Sequence, residues 1–316
     1  MRGWVDFVSR AETLKRGERK TTKGEKMSSY HYGNPEKANT WEYAASIFAA
    51  HESVNSEKTS SLPLVQFWKN KGKNCGFPRC VNKFLKECGL SAIGPEESCF
   101  CFEYSVPVNN ERGAKGKASM TDLMILTNQY AIAIEAKWTE CESVYEPIGK
   151  WKDFGVAENH DKVLDGWKEY INNYLKGHVC GKITVTDDMP YQLLHRVASA
   201  CYTAMRDGKK KSAVVIYHLF YSSQEERDKA INFARDLKDS VRKMFGQFTD
   251  GKIPISFHVI LTEVKFPQKG SRAETCLNSI RERSRKEQKF YSELFVLMQK
   301  VNVYSFENIK RYCSIN

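Results

Sequence analysis

The stretch "MTDLMILTNQYAIAIEAKW", residues 120–138, decides how the rest of the chain is read. Two apolar runs flank Asn128 and Gln129, and each has the length of a strand. Strands are expected over 120–126 and 130–138, folded back on each other as a hairpin. Side chains alternate along a strand, so Ala131, Ala133, Glu135 and Lys137 share one face. Ile132, Ile134, Ala136 and Trp138 share the other, which is core. The first face is small and then charged, as expected of an open face that something large approaches.

The register carries the chemistry. With a two-residue loop at Asn128-Gln129, paired residue numbers sum to 257, and a four-residue loop gives the same register. A three-residue loop would shift it by one and undo the argument. In the first register Asp122 sits opposite Glu135, with Cβ atoms ~5 Å apart. Two carboxylates so placed repel unless something neutralises them. A divalent cation does so, and hard oxygen ligands suit Mg²⁺ or Mn²⁺. Lys137 lies on the same face, where an ammonium positions or deprotonates a water, or stabilises charge on a phosphate. The plainer alternative is a surface hairpin with salt bridges. Against it, both runs are almost continuously apolar, as in strands buried on both faces, where unpaired acids are costly.

Asp122, twelve residues, then Glu135-Ala136-Lys137 resembles the motif of the PD-(D/E)XK nuclease superfamily. The proline that usually precedes the aspartate is Thr121 here. The likeness is to uncharacterised bacterial members and covers about residues 99–206. It implies an α/β, restriction-endonuclease-like fold: a mixed central sheet with an antiparallel hairpin, flanked by helices. It implies Asp122 and Glu135 as ligands of Mg²⁺ or Mn²⁺, with Lys137 assisting a water. The superfamily often places a Gln and then a polar or basic residue on the helix after the motif. "YQLLHRVASACYTA" supplies Gln192 as a catalytic candidate and Arg196 as a substrate-binding one, an i,i+4 pair that otherwise reads as a solvated helix face. An additional upstream glutamate near the metal would be Glu103, which otherwise reads as exposed or salt-bridged.

The remaining features bound the function. The formal net charge is +11, of which residues 1–26 hold +4 and the rest +7, so an acidic partner is expected, nucleic acid first. Lys209, Lys210 and Lys211 in "GKKKS", and "RERSRKEQK" at 281–289, are basic clusters that can track phosphates. The ten cysteines include no CxxC, and Cys75-x4-Cys80 and Cys99-x-Cys101 complete no zinc knuckle. Reduced thiols and a cytoplasmic protein are expected. No apolar run approaches the ~20 residues of a membrane span. His195 is expected to be packed or capping rather than catalytic, since no Ser or Cys partner at a known spacing supports a triad. Glu140 and Glu142 read as solvated.

Helices are expected over 39–51, 79–90, 161–175, 191–205, 225–245 and 285–299. Strands are expected at "CFCFEYSVPV", with Phe100, Phe102, Tyr104 and Val106 on one face, and at "SAVVIYHLF" and "ISFHVILTEV". Residues 1–26 read as a basic, disordered leader and 27–316 as one nuclease-like α/β domain. The expected function is a metal-dependent nuclease acting on DNA in a restriction or anti-phage role. The alternatives are an RNA-processing nuclease, or an inactive nuclease-fold subunit that binds nucleic acid or serves structurally. A homodimer is left open.

Overall fold

The hairpin closes where the register requires. In the computed structural model, Thr127 N donates to Tyr130 O at 3.0 Å. The ladder runs from Leu126–Ala131 to Leu123–Ile134. Asn-Gln is a weak turn pair, and Thr127 supplies what it lacks: its Oγ1 accepts from Gln129 N at 3.1 Å and Tyr130 N at 2.8 Å. Residues 29–34, 60–68, 78–138, 146–278 and 305–315 are described by the structure, apart from short breaks within these spans. The expected leader at 1–26, the helices at 39–51 and 285–299 and the basic cluster at 281–289 lie outside the described residues.

Around the hairpin, β3 (Ser119–Leu126) and β4 (Tyr130–Lys137), a seven-stranded sheet is ordered as the chain runs. The other strands are β1 (Ser29–Tyr32), β2 (Cys99–Val106), β5 (Ser212–Tyr221), β6 (Ile255–Lys265) and β7 (Ser305–Ile315). The sheet is mixed: β4, β5 and β6 run parallel, while β2–β3, β3–β4 and β6–β7 are antiparallel. Parallel neighbours need long crossovers, and helices provide them. Helices α3 (Ile148–Lys152), α4 (Ala157–Lys176) and α5 (Tyr191–Met205) connect β4 to β5, and α6 (Gln224–Phe245) connects β5 to β6.

The sheet has a core on each face. Ala131, Ala133, Val215 and Val259 pack with Trp167 of α4, Leu194 and Val197 of α5, and Phe233 and Leu237 of α6. Ile132, Ile134 and Ile216 pack on the opposite side with α1 (Ser61–Trp68) and α2 (Arg79–Glu87), through Leu64, Trp68, Val81 and Leu85. Helix α2 stops at Gly89, whose φ of 75° is the left-handed conformation that glycine adopts without strain. There Leu90 N returns to Leu85 O and Gly89 N to Lys86 O, both at 3.0 Å, closing the helix end.

Two expectations change. The face of β4 that carries Ala131 and Ala133 is not open: all of β4 is buried, and α5 lies against it. Small side chains there let a helix approach closely. In β2, Phe100 and Phe102 belong to the α1–α2 core, whereas Tyr104 and Val106 belong to the opposite one. The alternation breaks at Glu103, which has a φ of 51°. A left-handed residue inside a strand turns the following side chains to the other face.

Candidate active site

Strands β3 and β4 splay where the carboxylates meet. The ladder ends at Leu123–Ile134, one step before Asp122 and Glu135. In a continued ladder the Ala136 amide would face Thr121 on β3. Instead it donates to Asp122 Oδ2 at 2.7 Å. The same step is interrupted on the β2 side, where pairing skips from Phe102–Leu123 to Tyr104–Thr121 and leaves out Glu103 and Asp122. Glu103, Asp122 and Glu135 therefore occupy successive positions across three adjacent strands, at a point where the backbone pairing opens.

Glu135 is the charged centre. Its Oε1 lies 2.7 Å from Lys137 Nζ, and its Oε2 forms an ion pair with Arg196 Nη2. Alternation along β4 puts Glu135 and Lys137 on one face, and α5 brings Arg196 to that face. Arg196 Nη1 also donates to Met120 O at 2.8 Å, so the guanidinium bridges the end of β3 to Glu135. Arg196 is buried, with 2% exposure. The alternative reading of Arg196, a solvated helix face, does not hold for this residue. As placed, its visible role is toward Glu135 rather than toward a substrate.

The electrostatics separate the three acids. Burial pushes Glu135 up, but Arg196 and then Lys137 outweigh it and hold its pKa at about 2. Burial and the charge on Glu135 raise Asp122 to about 7, with Arg196, Lys137 and the Ala136 amide opposing. Burial and then Asp122 raise Glu103 to about 8. One carboxyl is thus firmly ionised and two hold protons near neutrality. That is the arrangement expected when three acids share a confined space with two protein cations.

Hard carboxylate oxygens from three strands suit Mg²⁺ or Mn²⁺, and a divalent ion would relieve the repulsion that raises Asp122 and Glu103. Asp122 and Glu135, with Glu103 at the edge, are the side chains that could hold it. As placed, no three His, Cys, Asp or Glu side chains among the described residues are grouped for ligation. Glu135 is turned to its two cations and Asp122 to an amide.

The other expected site residues fall at different distances. Gln192 stands half-buried on α5, four residues before Arg196. Lys211 is not brought to the site: it precedes Ser212, which pairs with Tyr130, whereas Glu135 pairs with Tyr217. Those positions are five residues apart on each strand, or ~17 Å. Lys209 and Lys210 lie outside the described residues. His195 is packed, as expected: its Nδ1 pairs with Ser119 Oγ at 2.8 Å, and burial, then Arg196, lowers its pKa to about 3. The backbone groups that hold the site, Met120 O and Ala136 N, have no signal in the sequence.

A family model described as a domain of unknown function, DUF6946, matches residues 37–265. No curated protein and no solved structure matches the chain.

Proposed function

The chain belongs to the DUF6946 family, and from its site we propose that it is a metal-dependent nuclease hydrolysing phosphodiester bonds, in DNA before RNA. One observation supports this most. Asp122 and Glu135 are successors in a hairpin register that ends at Leu123–Ile134, with Lys137 Nζ 2.7 Å from Glu135 on the same face. Asp122 and Glu135, with Glu103, would hold Mg²⁺ or Mn²⁺, and that ion supplies Lewis-acid polarisation of a phosphate oxygen. Lys137 is buried to 7% exposure, so its ammonium acts at close range with little screening by water. On this reading it orients a water or stabilises charge that develops on the phosphate. Arg196 holds Glu135 in position from α5. The chain's net charge of +11 favours a polyanionic substrate.

A second reading rests on a different observation. Both oxygens of Glu135 already face protein cations, as they would in a site that needs no metal. On that reading the protein is a nuclease-fold subunit that binds nucleic acid without cutting it. An assay on supercoiled plasmid, linear duplex, single strand and RNA, with Mg²⁺, with Mn²⁺ and with chelator, separates the two. Metal-dependent cleavage supports the nuclease. Binding without cleavage of any substrate supports the subunit.

A further inference from the structure

Beside the carboxylates lies a cleft of about 350 Å³, lined by aromatic rings from three helices. Trp151 of α3 stacks on Tyr191 of α5, with centroids 4.0 Å apart and planes 10° apart. His160 of α4 lies 4.2 Å from Trp151, and His195 lies 4.9 Å from Tyr191. All four rings are half-buried, so each keeps surface for a ligand. The stack is built in. Tyr191 N donates to Glu146 O at 3.0 Å and Ile148 N to Met189 O at 2.8 Å, tying the start of α3 to the start of α5.

The cleft adjoins the acids. Its lining includes Ser119 and Met120, and Met120 is two residues before Asp122, ~7 Å along β3. Met120 O also holds Arg196, the partner of Glu135. The lining also includes Gly116 and Ala118.

We propose that this cleft receives a nucleobase from an unpaired nucleic-acid strand whose phosphodiester lies on the Asp122–Glu135 site. The inference rests on the nuclease reading of that site and adds its substrate class. A base inside a duplex is stacked and paired and cannot enter a lateral cleft, so the occupant is single-stranded or extruded. Aromatic rings bind any base through its face, which gives affinity without strong sequence preference. The volume lies at the lower end of the range for small-molecule sites, suited to one base with its sugar rather than to several.

The test uses the full chain in chelator, so that binding is measured without cleavage. A short oligothymidylate and an abasic strand of equal length and charge are titrated separately, with fluorescence anisotropy as the readout. The oligothymidylate is expected to bind about tenfold more tightly, the scale of one base–aromatic stack. Trp151→Ala should narrow that gap and leave abasic binding unchanged. Ala118→Phe should also narrow it, by filling the cleft without removing a packed ring. Equal affinity of the two strands for the wild type overturns the proposal. So does a gap that survives both substitutions in folded protein. Cleavage with Mg²⁺ is scored separately. Cleavage without a base-dependent gap removes the cleft alone, whereas a gap without cleavage keeps the cleft and removes the nuclease.

Discussion

Arg196 of α5 and Glu135 of β4 form an ion pair that is almost wholly buried, with 3% and 2% of their side chains exposed. The pair joins a helix to a strand that lies 61 residues earlier in the chain, and Met120 O fixes its far side. Such a pair contributes little over an apolar pair of similar volume, yet breaking it from one side leaves a buried charge underpaired, Glu135 then keeping Lys137 as its one ion-pair partner among the described residues. Arg196→Met is therefore expected to destabilise the protein by about 3 kcal/mol. Adding Glu135→Gln to Arg196→Met should restore part of that loss. Denaturant unfolding of the two single variants and the double variant measures the coupling, and additive losses would show that the residues do not act as a pair.

The acids and the lysine should separate by role. Asp122→Ala and Glu135→Ala are expected to abolish cleavage and weaken Mn²⁺ binding, because each removes a hard oxygen ligand. Lys137→Ala should abolish cleavage but retain Mn²⁺ binding, since an ammonium cannot ligate. Mg²⁺ should raise the wild-type Tm, because an ion that binds only the folded state stabilises it. Titration calorimetry of Mn²⁺ into the four proteins checks the scheme. Metal binding by both acid variants at wild-type strength would remove these residues from the site.

Glu103 stores backbone strain. Its φ of 51° is unfavourable for a residue with a Cβ, and burial together with Asp122 raises its carboxyl to about 8. Glu103→Gly removes both penalties. The metal-free variant is expected to gain about 1 kcal/mol, reduced in part by the greater freedom of glycine in the unfolded chain. Its metal-dependent activity should fall. A variant that is no more stable and fully active would show that the position carries neither strain nor function.

A pH-dependent loss of stability should arise away from the acids. His218 of β5 is fully buried. Its Nδ1 accepts from Trp68 Nε1 at 3.1 Å, so Nε2 carries the proton toward Thr262 Oγ1, 2.9 Å away. A neutral ring is required, and burial lowers its pKa to about 3. The unfolded chain takes up this proton below about pH 6.5, and the folded chain does not until far lower. Stability present above about pH 6.5 is thus lost as the pH falls, by about 2 kcal/mol at pH 5. His218→Gln should unfold more easily at pH 7 and show a shallower acid limb. His195, also lowered to about 3, contributes a similar limb that remains in the variant, and the raised carboxyls of Asp122 and Glu103 contribute the opposite one, so the slope is read as the difference between variant and wild type. An unchanged slope in urea melts across that range would refute the neutral-ring assignment.

The amino-acid sequence determined the local order of this protein. Period-two alternation and the short link at Asn128-Gln129 set the β3–β4 register, because a slip of one residue would exchange the small Ala131 and Ala133 for the large Ile132 and Ile134 between the two cores. Apolar periodicity likewise located α4, α5 and α6. Tertiary structure decided the rest. The edge strands β1 and β7 take their conformation from the strands beside them, and so have no strong pattern of their own. The left-handed turn at Glu103 is held by surrounding packing against the preference of the residue, so nothing local announces it. Arg196 read as half of an i,i+4 pair with Gln192 on a polar face, and only the packing of α5 against β4 made it the buried counter-ion of Glu135. Charge pairing at a distance depends on which surfaces meet, and that is fixed by the whole fold and not by the spacing of the residues along the chain.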